Sequence, residues 1–406
     1  MALTNDLFTT SDAAKYILTL RYNPKLSCTS ESLSWKNFTT NMSSISLDFI
    51  EKTIMDNIRS KLNPNIKKIS ISLSGGVDSA LVLALLRKTY PNLNICAFTI
   101  KFSDSADETP QAAKIAEKFD ASHEIILLEN YLSELPKAIS IIKQPFWDLH
   151  WYYLIKNAKQ FSSYMISGDG GDELFGGYTF RYKKFLSLIT PNSTSLEKTK
   201  AYLQCHERDH VLDQKEIFSS KSNFSWNDVY SIIEPFFANS LPSLSQVFLA
   251  DYNGKMSHNF SPVNKLINSH FGITGITPIL NENLINYATH LHSTEKYNLT
   301  DNIGKLPLRK LLDRLGVTTL IGNKKMGFSV NTANLWNSYG KNLCKYYLTD
   351  SRLVTDKFIN DGWIKKYIDK SDLDVRYVNK FLGLLAYEIW YRIFITKELN
   401  PNINFT

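Results

Sequence analysis

Apolar and polar residues alternate through Ile69-Ser70-Ile71-Ser72-Leu73 and then give way to Ser74-Gly75-Gly76. A period of two predicts a strand, and the glycines end it. From Asp78 to Tyr90, Leu81, Leu85 and Leu86 recur on one helical face. The pattern then predicts a strand over 93–100, a helix over 107–119 with Pro110 in its first turn, a strand over 122–127 and a fourth over 164–167. Strands separated by helix-length crossovers must pair in parallel, which predicts the α/β class: a doubly wound, mostly parallel sheet. Beyond about residue 191 the pattern is helical, ending in an apolar run over 382–395. Ahead of the first strand, 10–22 is a candidate helix and 49–62 a clearer one.

Composition narrows the class without changing this picture. At 406 residues and 43% hydrophobic, the chain can build a core without disulfide or metal staples. Cys28, Cys96, Cys205 and Cys344 are widely spaced and form no C-x-x-C pair, which suits a reducing, cytoplasmic setting. No signal peptide is expected, and no apolar stretch approaches the roughly 18 residues of a membrane span. The net charge of +7 comes from dispersed lysines and arginines. That dispersal argues against nucleic acid as a partner and suits a solvated surface with an anionic nucleotide substrate.

The candidate chemistry sits in two glycine-rich turns. Ser74-Gly75-Gly76-Val77-Asp78-Ser79 joins a strand to a helix, where an open parallel sheet binds ligands. Its glycines allow successive N–H groups to face one concavity, and the helix N-terminus adds partial positive charge. Ser74 and Ser79 offer hydroxyl donors. The turn carries an aspartate and no Walker lysine, so phosphates beside Asp78 require a bridging cation, Mg²⁺. Ser167-Gly168-Asp169-Gly170-Gly171-Asp172-Glu173-Leu174-Phe175-Gly176-Gly177-Tyr178 follows the fourth strand. It lacks EF-hand spacing, and Asp172 can supply the second carboxylate to one Mg²⁺ on polyphosphate. Either turn alone can also be read as an ordinary loop; together they are far more specific.

S-G-G-V-D-S followed by S-G-D-G-G-D-E-L-F-G-G-Y resembles the synthetase domain of the glutamine-hydrolysing asparagine synthetases, within the N-type ATP pyrophosphatases (the PP-loop superfamily). Asp107-Glu108 with Ala113, Ala116 and His123, Lys305-Leu306-Pro307-Leu308-Arg309, Lys325-Met326-Gly327-Phe328 and Tyr387 to Arg392 extend the resemblance from about residue 49 to the carboxyl end. The resemblance implies an adenine nucleotide alpha hydrolase-like sheet with a nucleotide-binding core at about 65–190 and a helical part at 191–406. It implies ATP and Mg²⁺, with a substrate carboxylate, aspartate being the expected one, activated as an acyl-adenylate and then attacked by ammonia or an amine. By position, Leu73, Ile100, Ser167 and Gly168 would line the adenine and ribose pocket. Ser74, Gly75, Gly76, Asp78 and Ser79 would hold pyrophosphate, and Asp78 and Asp172 the metal. Lys325 would neutralise charge on the α-phosphate, and Asp169 would face the acyl group and orient or deprotonate the nitrogen donor.

Residues 1–48 resemble the family's linker through 13–24, and the glutaminase domain is expected to be absent. Nitrogen would then come from free ammonia, a separate glutaminase subunit or a substrate amine; a homodimer is compatible with the chain. The family's E-x-R-x-P-F-L-D stretch is altered around Pro278-Ile279-Leu280, where Thr274, Ile276 and Asn281 replace charged positions, and Asn323 stands where arginine often precedes the lysine loop. Those changes bear on the acceptor side. Three other signals compete. His206-Glu207-Arg208-Asp209-His210 fits H-E-x-x-H, yet Arg208 and Asp209 suit a solvated helix better than a buried zinc helix. The aromatic run from Pro145 to Tyr153 reads as a pocket wall, with Asp148 its most interesting member and His150 structural. A tRNA-modifying ATP pyrophosphatase shares the first turn, but D-E-L-F-G-G-Y argues against it.

Overall fold

The computed structural model describes residues 9–25, 32–40, 45–102, 107–206, 210–321, 331–370 and 372–405. Five strands form one all-parallel sheet: β1 (Lys68–Ser72), β2 (Asn94–Phe102), β3 (Ser122–Leu128), β4 (Tyr164–Ile166) and β5 (Thr274–Ile276), in the order β3-β2-β1-β4-β5. The first four strands and their crossovers lie where the alternation places them, within about two residues at each end. β5 is the strand the pattern does not predict; its three residues come from the altered motif before Pro278.

Because side chains alternate across a strand, β2 divides its apolar residues between two cores. Ile95 and Ala97 face α1 (Leu47–Lys61), α2 (Val77–Thr89) and α3 (Thr109–Lys118). Cys96, Phe98 and Ile100 face α4 (His150–Ala158) and, farther along the chain, the terminal helix Val375–Phe394. The sheet is therefore covered on both faces, and α2 is buried nearly throughout, from Ser79 to Leu86. The terminal helix begins seven residues earlier than the apolar run suggests, capped by the Asp374 side chain.

The segment that resembles a linker is packed into the fold. Ala13, Ala14, Ile17 and Leu18 are buried in the second core, Lys380 Nζ donates to the Leu18 carbonyl (2.5 Å) and Tyr387 donates to that of Thr10 (2.7 Å). Among the described residues no helix is long and apolar enough to cross a membrane.

β1 has β2 on one side and β4 on the other, so the winding reverses between β1 and β4. Loops that leave neighbouring strands at such a reversal diverge to opposite faces and open a crevice between them. With Ser70 opposite Met165 and Ile71 opposite Ile166, the two glycine-rich turns leave the sheet side by side.

Candidate active site

The first turn is held by its own serines. Ser79 Oγ accepts from the Ser74 N–H (3.1 Å) and lies 3.0 Å from Ser74 Oγ, which accepts from the Gly76 N–H (3.1 Å). The Ser74 and Gly76 N–H groups are thus fixed before α2 starts, and Asp78 sits in the first turn of that helix.

The second turn opens α5 (Gly171–Phe175) through Gly170, whose φ of +97° favours glycine. Its glycines allow the two turns to touch. A Cβ on Gly168 would stand 2.7 Å from the backbone of both Asp78 and Ser79, and one on Gly171 would stand 2.3 Å from Asp78 Oδ1. No side chain fits at either point, so the glycines set the separation of Asp78 and Asp172.

Both carboxylates converge on one cation, the ammonium of Lys305. It pairs with Asp78 Oδ2 and lies 2.8 Å from Asp172 Oδ1. Lys305 precedes α6 (Leu306–Arg314) in a left-handed conformation (φ 59°), a backbone state costing about 1–3 kcal/mol for a non-glycine residue. Its N–H donates to the Phe175 carbonyl (2.9 Å), which fixes it against the end of α5. Burial disfavours the lysine's charge, but Asp172 and Asp78 outweigh it and hold its pKa above the ordinary value.

These residues line a cavity of about 370 Å³. Its described walls carry five acids, Asp78, Glu108, Asp169, Asp172 and Glu173, against the bases Lys305 and Arg309. Such an excess of carboxylate admits a polyphosphate only with added cation. No cluster of three or more protein metal ligands exists among the described residues. A Mg²⁺ at Asp78 and Asp172 fits as an ion that takes its remaining ligands from phosphate oxygens and water.

Asp169 lies at the cavity wall, accepting from Ser167 Oγ (2.9 Å) and Asn264 Nδ2 (3.4 Å). Burial raises its pKa, opposed by Ser167 and by nearby His150. Glu108 is 8% exposed, no described side chain bonds its oxygens, and burial pushes its carboxyl up to about 7.

The structure brings Ser74, Gly75, Gly76, Asp78, Ser79, Ser167, Gly168, Asp169 and Asp172 to this one cavity. Leu73 and Ile100, expected beside the adenine, are buried in the first and second cores and are not among the residues lining this cavity. Lys325 lies outside the described residues. In the aromatic run the roles are exchanged: Asp148 pairs with Arg21 Nη2 (2.6 Å), while His150 forms part of the cavity wall. The helix Ser195–Gln204 ends before His206, so the two histidines of H-E-x-x-H do not share it. Sequence reasoning missed Lys305, Glu108 and Asn264 as site residues. The first two stood inside matched motifs, K-L-P-L-R and D-E, which located them without assigning a role.

Comparisons with known proteins follow the same lines. Residues 65–392 match the profile of the asparagine synthase family. The chain is 22% identical over 414 aligned residues to "Asparagine synthetase [glutamine-hydrolyzing] 1" of Bacillus subtilis, covering 87% of this chain and 61% of that protein. It is 31% identical over 133 residues to "Putative asparagine synthetase [glutamine-hydrolyzing] 2" of Methanocaldococcus jannaschii, covering 32% of this chain and 26% of that one. The chain thus spans less than two thirds of these relatives' length. Among solved structures, NMN synthetase from Francisella tularensis superposes at a TM-score of 0.26 with 16% identity, covering 58% of this chain and 99% of that one. A score that low adds nothing to the fold described above.

Proposed function

This chain belongs to the asparagine synthase family, and from that premise we propose that it is an ATP-dependent amide-forming ligase, AMP- and pyrophosphate-forming. A substrate carboxylate oxygen attacks the α-phosphorus of ATP, and the bond to the β-phosphate oxygen breaks to release pyrophosphate. The nitrogen of ammonia or an amine then attacks the acyl carbon, AMP leaves with the bonding pair, and the nitrogen loses a proton. The observation that carries this reading is the convergence of Asp78 and Asp172 on one cation at the reversal point of the sheet.

The residues divide the work by position. The Ser74 and Ser79 hydroxyls, aligned by the loop's own N–H groups, and the start of α2 receive the pyrophosphate. Asp78 and Asp172 would hold Mg²⁺, which supplies charge neutralisation of the polyphosphate. Lys305 supplies a fixed positive charge beside the same phosphates. Asp169, made more basic by its burial, takes the nitrogen's proton. Lys325 serves the α-phosphate as the family resemblance implies. Nitrogen arrives as free ammonia, from a separate glutaminase subunit or on a substrate amine.

A screen of carboxylic acids, aspartate first, with and without ammonium tests this directly. Pyrophosphate and AMP should appear in equal amounts and only when an acid is present. Formation of ADP, or pyrophosphate release indifferent to every acid, would refute the proposal.

A further inference from the structure

A second chamber of about 550 Å³ opens from the far side of Asp169. It shares Ser167, Asp169, Trp151 and Asn264 with the first cavity, so the two meet at the carboxylate that faces the acyl group. In the ligase reading the reacting carboxylate lies at that junction, and the body of the acyl substrate must extend away from the nucleotide. Ammonia needs no such space. The volume falls within the roughly 300–1,000 Å³ of pockets that enclose drug-sized ligands, and a free amino acid would fill a small part of it.

The lining indicates what fills the remainder. One wall is the helix Ser261–Phe271, whose Ser261, Asn264 and Asn268 lie three and four residues apart on one face. Asn268 is 9% exposed, and its amide orientation is fixed chemically: Trp151 Nε1, which can only donate, bonds to Asn268 Oδ1 at 3.0 Å. That turns Nδ2 over Gly275, where a Cβ would sit 2.2 Å from it, and no described group accepts from it. The other wall is Gly275 and Ile276 of β5 with Thr277 just beyond it; β5 is the last strand of the sheet, and among the described residues its outer side meets no further strand. Asp169 at the inner end and the exposed Lys265 are the charged groups among the described lining. An amide donor at the chamber wall with no described acceptor, a row of neutral polar side chains and a strand edge are together complementary to amide groups.

We infer that this chamber is the acyl-substrate site and that the acid it takes is a carboxylate carried on a short peptide-like chain, larger than free aspartate. The inference rests on the ligase reading, and its test separates the two. Pyrophosphate release is measured with free aspartate and with the amide-blocked tripeptide Ac-Gly-Asp-Gly-NH2. Binding of the same tripeptide is measured calorimetrically beside a non-hydrolysable ATP analogue. Asn268→Asp keeps the acceptor for Trp151 and removes the donor over Gly275, and Thr277→Phe narrows the chamber; unchanged affinity for the ATP analogue shows that both variants are folded.

The tripeptide should exceed aspartate in kcat/KM by about tenfold or more. Asn268→Asp should lower kcat/KM for the tripeptide by about tenfold, chiefly through KM, the size of one lost hydrogen bond. Tripeptide binding that Asn268→Asp weakens, without any pyrophosphate release, would uphold the chamber and refute the ligase. Free aspartate preferred over the tripeptide, or tripeptide binding indifferent to both variants, overturns the inference. So does a loss confined to the ammonium-dependent step, because the chamber would then serve the nitrogen donor.

Discussion

Two of the buried charge networks among the described residues differ in what surrounds them. In one, Lys305 bridges Asp78 and Asp172 where two glycine-rich turns meet at a cavity. In the other, Arg181 pairs with Asp251 (3.1 Å) inside the core, with Tyr202 donating to the same carboxylate (2.7 Å) and His206 against the guanidinium. By burial alone the second is the more conspicuous, since its side chains are 8% and 3% exposed against 10%, 15% and 22%. Yet Arg181 and Asp251 line no part of the cavity. Burial of charge therefore does not identify the site. The glycines do, because Gly168 and Gly171 remove side chains only where another loop and an incoming ligand must approach.

The comparison breaks most directly at Arg181. Arg181→Leu strands Asp251 in the core, and unfolding should become easier by about 3–5 kcal/mol. Denaturant titration gives this loss, while pyrophosphate release per folded molecule stays near the parent value. Asp78→Asn should do the reverse. Lys305 keeps Asp172 as a partner, so thermal stability changes little, while turnover falls by about 10²–10³, or about 3–4 kcal/mol of transition-state stabilisation. A fall in both quantities for either variant would mean that the two networks are not distinct in role. Between these extremes lies Gly168→Ala. Its new methyl meets backbone, which cannot swing aside as a side chain would. The turns must separate, and a loss of about 1–3 kcal/mol in stability should accompany weaker ATP binding by calorimetry.

How far this was legible in the sequence follows from the range of the interactions. Strands β1 to β4 are local patterns, and alternation at Ile69 and Ile71 sufficed. β5 is three residues long with a glycine at its centre, too short for a period to register, and it is a strand only because β4 lies beside it. The two turns could be placed because their composition fits no packed element. Lys305 could not be given its role, since its ammonium reaches Asp78 from 227 positions away and nothing local marks a left-handed lysine. The exchange of Asp148 and His150 has a similar cause. Arg21, in a segment expected to be a linker, captures the aspartate and stacks over Trp147 (4.7 Å).

Glu108 supplies the smallest and most specific test of the contrast, because it is a buried carboxyl of the cavity that no described side chain pairs with. Desolvation raises its carboxyl from the ordinary 4.5 to about 7, with a backbone N–H at Gly75 pulling weakly the other way. The folded protein therefore holds this proton more tightly than the unfolded chain does. Its contribution to stability is full below about pH 4.5 and is lost as the pH rises through about 7, where a bare carboxylate must be kept out of water. Glu108→Gln removes that loss. Its melting temperature should match the parent's at pH 5 and exceed it at pH 8, by the equivalent of about 2–3 kcal/mol, the part of the proton linkage that falls between those two pH values. A parent curve that runs parallel to the variant's across this range would mean that Glu108 is already ionised and paired, which would move it from the cavity's contrast with the core to the core's side.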